Sequence, residues 1–401
     1  MVTLQKTDLI GFASTFDVAK SLIDAGITHL ILESPLLSIR SWATPHEFDN
    51  LESLSVFTDK VRNYKPQIKL SVQMDFLMHD SHTMLVEQVI QFCKLHKIEH
   101  VRVQDVGILY KMHKESIHCV YDSQMGNMNW VSVDGFKSYA DRQCLSMEMA
   151  ASDIELIYAK TQAKLELVVH GQICIQYSQR RFLAGFFDES SSAEHLAQYH
   201  QLAEDYDYPG RRFTFLDNEH GHFMFAYFDR SLLNDIEQLK KLPLVGWIID
   251  TRGYDLAYQV ACVQAYSYCL SQHTLDDQQF DDYYNRVKSL ASKPLKPGFF
   301  RANQTDRRRY KKRTAFLLPT ESVAATVLDI WEKKWIVLQC HQVIKKGSTC
   351  YAKHPKIETC NLDLSELYTL DHQPVDETYA EQLIKIPWVK GIQQQSLLIV
   401  A

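Results

Sequence analysis

Two rhythms of apolar and polar positions run along the first 270 residues. Apolar, often β-branched runs of about four to eight residues alternate with stretches whose apolar side chains recur every three to four positions. The first rhythm predicts strands, the second amphipathic helices. Strands are read at "DLIGFAS" (8–14), "HLILES" (29–34), "KLSVQMD" (69–75), "HVRVQD" (100–105), "HCVYDS" (118–123), "QCLSMEM" (143–149), "KLELVVHG" (164–171) and "VGWIIDTRG" (245–253). Helices are read over "FDVAKSLIDAG", near 47–63, over "HTMLVEQVIQFCKLH", near 107–114, 130–140 and 152–160, and over "YDLAYQVACVQAYSYCL".

Eight strand-then-helix units predict parallel pairing, because parallel neighbours need crossover connections. The expected fold is α/β, a (β/α)8 TIM-like barrel over 1–290. An open doubly wound sheet is the alternative, and no GxGxxG follows any strand to support it. Residues 172–244 form an insertion after strand seven, with a polar helix in "DESSSAEHLAQYHQLAEDYDYPG" and a β-hairpin about Asn218–Gly221. Residues 291–313 read as a basic linker. Residues 314–401 read as a small β-rich domain with strands in "TAFLLP", "AATVLDIW", "KWIVLQCHQVI" and "SLLIVA" and a helix in "DETYAEQLIKI".

Composition adds bounds. The 401 residues are 46% hydrophobic and 23% charged, with a net charge of −6. That is a globular composition, with no global attraction for nucleic acid. No apolar run is long enough for a membrane helix, and the start of the chain shows no secretory leader, so no membrane partner and a cytoplasmic location are expected. The nine cysteines include no CxxC pair, which fits reduced thiols.

A barrel gathers its strand C-termini on one rim. Glu33, Asp75, Gln104, Asp105, Asp122, Gln124, Glu148, His170, Asp250 and Arg252 then share a mouth. Asp75 and Asp105 have helix capping as a competing role. In "DSQMGNMNW", Gln124, Asn127 and Asn129 offer amide donors and acceptors to a polar ligand, or else close a turn on their own backbone. Cys174 lies four residues beyond His170, with Arg180 and Arg181 following, so a Cys–His dyad with a lowered thiol pKa is a candidate. HExxH and GxSxG are absent. Arg307, Arg308, Arg309, Lys311, Lys312 and Arg313 flank Tyr310 in a run suited to RNA phosphates and a stacked base, or to a solvated linker. Cys340, His341, Cys350, His354 and Cys360 match no zinc spacing, so no metal site is expected; Cys262 and Cys269 share a helix face and read as core.

Four segments together carry a resemblance: "VHGQICIQYSQRRFL", "DSQMGNMN", "VRVQDVG" and "IIDTRG". They resemble the collagenase-like peptidase family of unassigned catalytic type, whose members include proteins of ubiquinone and RNA hydroxylation. His170, Gly171 and Cys174 match its VHG-x-x-C segment, Gln124 and Asn129 its amide turn, and Asp250 to Arg252 the end of its eighth strand. "KPLKPGFF" (293–300) is similar to its post-barrel segment. Many members hold an iron–sulfur cluster on four cysteines. Here Arg181 and Ser231 stand at two of those places and 182–245 contains no cysteine, so no intrinsic cluster is expected.

The resemblance implies a component of tRNA wobble-uridine hydroxylation, yielding 5-hydroxyuridine, with a small anionic metabolite, prephenate, at the barrel mouth. Arg252 with Arg180 or Arg181 would hold carboxylates, His170 would bond the ligand or move a proton, and Gln124 and Asn129 would orient it. A cluster-bearing paralogue and tRNA are the implied partners. The alternatives are a peptidase acting through Cys174 and His170 and a non-catalytic scaffold for a paralogue.

Overall fold

The computed structural model of the chain describes residues 7–40, 46–123, 126–183, 199–204, 211–218, 220–301, 323–354, 357–394 and 396–400. The chain folds as two compact units, 1–303 and 304–401. Gln124 and the basic residues 307–313 lie outside the described residues, as does "TAFLLP".

In the first unit, strands β1 (Asp8–Ala13), β2 (His29–Leu32), β3 (Lys69–Met74), β4 (His100–Val103), β5 (Cys119–Tyr121), β6 (Arg142–Leu145) and β7 (Leu165–Ser178) pair in order. The insertion adds β8 (Tyr199–Glu204), β9 (Arg212–Asn218) and β10 (Gly221–Ser231) before β11 (Leu244–Asp250). β11 pairs in parallel with both β7 and β1, which closes an eight-stranded parallel barrel. Between the strands run α1 (Phe16–Ala25), α2 (Leu51–Tyr64), α3 (Thr83–Leu95), α4 (Val106–Lys114), α5 (Trp130–Phe136), α6 (Ala151–Thr161) and α7 (Ile236–Lys241), with α8 (Leu256–Ser271) and α9 (Asp277–Leu290) after β11. The fold is the expected (β/α)8 barrel. Its helices start where the sequence supplies caps: Thr15 accepts from Val18 N, Asp105 from Ile108 N and Asn129 from Ser132 N.

Outward strand residues such as Leu30, Val72, Val103 and Leu167 join the helix-facing core, while Ile10, Phe12, Ile31, Val120, Cys144 and Ile248 fill the barrel with Val168. Around and below these, the interior is ionic. Arg102 bonds Glu166 at 2.6 Å, Arg142 bonds Glu166 at 3.2 Å and Asp8 at 3.0 Å, and Lys69 reaches Asp8 at 2.7 Å. Each charge of this ladder has an opposite charge in contact, which offsets the cost of low-dielectric burial.

Strand seven does not stop at His170-Gly171 as its sequence pattern predicts. β7 runs on to Ser178 and becomes the inner strand of an antiparallel sheet with β10, β9 and β8. The register against β11 slips by one residue: Val168 pairs with Ile248, but His170 pairs with Ile249. Val169 is therefore an inserted residue, a bulge, and such a slip reverses which face the following side chain takes. Gly171 sits at φ +138°, and a Cβ there would lie 2.1 Å from the Asp250 carbonyl oxygen. β7 and β11 thus approach too closely for any side chain at 171.

Two segments expected to be helical contain strands where they are described. Residues 199–204 pair antiparallel with β9, so sheet pairing overrides a locally helical pattern. In "DETYAEQLIKI" no helix forms. After the two-residue β12 (Leu295–Lys296), the second unit is a seven-stranded antiparallel sheet: β13 (Val323–Trp331), β14 (Trp335–Cys340), β15 (Thr349–His354), β16 (Ile357–Asp363), β17 (Tyr368–Thr369), β18 (Leu383–Pro387) and β19 (Leu397–Val400). Ile384 and Ile386 share its core face two residues apart, which is the strand period.

Candidate functional site

The barrel's C-terminal rim encloses a cavity of about 230 Å³. Three arginines enter it from different elements: Arg40 after β2, Arg102 from within β4 and Arg252 after β11. Arg252 donates from Nε and Nη2 to the two Asp250 carboxylate oxygens, both at 2.7 Å, and from Nη1 to Glu33 Oε1 at 2.6 Å. Its guanidinium stacks over the Phe12 ring, 4.0 Å from the centroid. Arg40 reaches Asp250 Oδ2 at 3.5 Å. Arg102 joins the rim to the barrel interior, donating to Asp122 at 3.2 Å as well as to Glu166.

The charges are set by these pairings. Burial opposes the Asp250 charge, but Arg252 outweighs it and holds the carboxyl below its usual range. Burial also opposes the Arg252 charge, which Asp250 and Glu33 more than restore. Glu33 goes the other way: burial pushes its carboxyl up, and Arg252 offsets this only in part. One carboxylate of the trio is thus held ionised while the other is biased toward its neutral form.

Of the residues read from sequence, Gln104, Asp122, Glu148, Cys174, Asp250 and Arg252 line this cavity. His170 does not. The bulge turns it away from the rim onto α8, where Nε2 lies 2.9 Å from Tyr258 Oη and 3.3 Å from Cys262 Sγ. It is fully buried, and burial lowers its pKa to about 3, so the ring is neutral at pH 7. Cys174 Sγ contacts the Gln176 carbonyl at 3.3 Å and packs beside Ile39, Phe76 and Phe225. Burial pushes its thiol up, against the pull of Arg40. The Cys174–His170 pairing is not formed, and the thiol lacks the low pKa that a thiolate nucleophile needs.

The amide turn is structural where it is described. Asn127, buried at φ +55°, donates to the Cys144 carbonyl at 3.2 Å, and Asn129 caps α5. Asp105 caps α4, whereas Asp75 accepts from Ile39 N at 2.9 Å and ties down the segment that carries Arg40. Arg180 is exposed, Arg181 is half-buried, and neither lines the cavity. Sequence reasoning passed over Arg40 and Arg102. Arg102 had a signal, a charge in the middle of the apolar strand "HVRV", matched by Glu166 in "LELVV". Arg40 had none, since a loop residue declares no partner.

Among the described residues that line the rim the cysteines are Cys174 and the barrel-filling Cys144, and Ser231 pairs with His170 on the β7–β10 ladder. Among the described residues no three His, Cys, Asp or Glu side chains gather as a metal ion would need. In the second unit Cys340 and Cys350 are core residues, and His341 Nε2 bonds Thr326 Oγ1 at 2.8 Å. No helix of the described residues is long and apolar enough to cross a membrane.

Comparison with known proteins adds relatives. An uncharacterized protease of Methanocaldococcus jannaschii is 22% identical over 233 residues, 54% of each chain, so the protein spans about half the length of that relative. The tRNA hydroxylation protein P1 of Bacillus subtilis is 20% identical over 285 residues, covering 69% of this chain and 67% of its own. Among solved structures, the C-terminal domain of a Geobacillus thermoleovorans U32 peptidase matches 20% of this chain and 91% of its own at 16% identity, with a TM-score of 0.19. The profile of peptidase family U32 matches residues 14–310, and with that span matched, the chain belongs to this family.

Proposed function

We propose that the barrel mouth binds a small carboxylate-bearing metabolite and that the protein takes part in hydroxylating tRNA at the wobble uridine. The observation that carries the reading is the convergence of Arg40, Arg102 and Arg252 on one enclosed cavity of about 230 Å³. That is smaller than the ~300–1,000 Å³ of sites for drug-sized ligands, and so suits a small metabolite. Guanidinium forks are the usual partners of carboxylates. Arg40 makes the longest of the three Asp250 contacts, and burial pushes the Glu33 carboxyl up. An incoming carboxylate would share these guanidinium groups with Asp250 and Glu33. Prephenate is the ligand the family resemblance implies. The relative named for tRNA hydroxylation supports the RNA side. Any redox step needs an electron carrier that these cysteines do not supply, so a cluster-bearing paralogue is part of the proposal.

Two measurements test it. Nucleoside mass spectrometry of tRNA with and without the gene should show loss of 5-hydroxyuridine; an unchanged content overturns the reaction. Calorimetric titration with prephenate should show binding that Arg252→Lys weakens by about tenfold or more, since an ammonium cannot replace the guanidinium that holds Asp250 at two points and Glu33 at a third. Equal affinity in that variant removes Arg252 from the site.

A further inference from the structure

A second cavity, about 580 Å³, lies outside the barrel, where the loop after β11 meets the insertion sheet and the segment after α9. Tyr227, Tyr254, Tyr258, Gln172, Arg212 and Lys293 line it. The two tyrosines of the β11–α8 segment are fixed from behind. Tyr254 Oη donates to both Asp229 oxygens, at 2.7 and 2.6 Å, and Tyr258 Oη bonds His170 Nε2 at 2.9 Å. Their rings pack 5.0 Å apart. His170, which fails to reach the mouth, thus helps to hold the wall of this second cavity.

Tyr227 is presented by a second irregularity. Between the paired residues Phe225 and Asp229, β10 has Ala226, Tyr227 and Phe228, where β7 has Ile173 alone between Cys174 and Gln172. The surplus residues leave the ladder, as bulges beside binding sites do. Cations surround the released ring: Arg211 lies 5.2 Å from its centroid, and Lys296 lies 4.6 Å from its centroid and 2.9 Å from its hydroxyl. With Arg212 and Lys293 there are four cations on or beside the cavity, against Asp255, the Asp229 behind Tyr254 and the Glu204 that pairs with Arg212. Gln172 adds an amide to the wall, donating to the Arg252 carbonyl at 3.5 Å and accepting from Lys293 Nζ at 3.4 Å.

Rigid aromatic faces, a surplus of cations and an amide in one concavity are the parts list of a single-strand nucleic-acid site. We infer that this second cavity takes an unpaired RNA nucleotide, its base against Tyr227 and its flanking phosphates on Arg212 and Lys293. The choice of RNA rests on the function proposed above; the location does not, and it differs from both the barrel mouth and the basic run 307–313. A duplex keeps its bases stacked and would not enter.

The test is fluorescence anisotropy on the full chain with a labelled single-stranded RNA of about ten nucleotides. Its duplex and an abasic version serve as comparisons, and inorganic phosphate as competitor. The single strand should bind tightest. Tyr227→Ala should weaken it by about tenfold or more, while Tyr227→Phe, which keeps the ring, should bind nearly as the parent does. Equal binding by Tyr227→Ala overturns the inference, and so does equal binding of the abasic strand, which would mark an anion site only. Should Tyr227→Ala fail to fold, 4-thiouridine photocrosslinking of the parent decides: adducts on peptides containing Tyr227 or Tyr254 support the site, and their absence overturns it. Binding in these assays together with unchanged tRNA nucleosides on gene deletion would keep this site and remove the proposed reaction.

Discussion

At the scale of single residues, Gly171 and its neighbour carry the most structure. A methyl group at 171 would meet the Asp250 carbonyl at 2.1 Å on a backbone at φ +138°. Gly171→Ala should therefore cost about 1–3 kcal/mol in strain alone and displace Asp250, with a lower melting temperature and weaker ligand binding in the mouth as the readouts. His170 makes a separate, pH-dependent statement. Its folded pKa of about 3 lies below the usual 6.5, so the unfolded chain takes up a proton that the folded chain refuses. The stability it supports is complete above pH 6.5 and is lost as pH falls toward 3, by at most about 1.4 kcal/mol per pH unit. Urea unfolding from pH 7 to 4 should show this slope, and His170→Phe should flatten it.

At the scale of elements, one extra residue in β7 decides the site. Strand alternation alone would put His170 on the same face as Val168, inside the barrel. The bulge at Val169 sends it to α8 instead. Residue types and strand identity were legible in the sequence, because apolar runs and caps announce them. The slip was not, because it depends on where β7 pairs with β11. The ionic ladder across β1, β4, β6 and β7 is a second element-scale feature. Glu166 faces both Arg102 and Arg142. Burial opposes its charge, but the two guanidinium groups prevail and hold the carboxyl below its usual range. Glu166→Gln leaves buried positive charge uncompensated and should destabilise the barrel by about 3–5 kcal/mol, measured by equilibrium denaturation.

At the scale of the whole molecule, separate hydrophobic cores serve the two units among the described residues. The main core of the first unit lies between barrel strands and helices, that of the second within the seven-stranded sheet. Fragments 1–303 and 304–401 should each melt cooperatively when made separately, as followed by circular dichroism. A fragment without a melting transition would show that its core needs the other unit. The same scale assigns the cavities. The mouth collects Arg40, Arg102 and Arg252 from segments far apart in sequence, and the second cavity unites the insertion with the β11–α8 loop.

The sequence by itself determined the eight parallel strands, the helices between them, the insertion point and the pool of polar residues at strand ends, since period, caps and composition act over a few neighbours. Tertiary structure alone decided which of those residues meet. It withdrew His170 from the mouth, left Cys174 without an imidazole, brought in Arg40 and Arg102, and put strands at 199–204 and 383–387 within helix-like segments. The physical reason is common to all four: register, bulges and ion pairing are set by partners distant along the chain, and no local pattern encodes a partner's position.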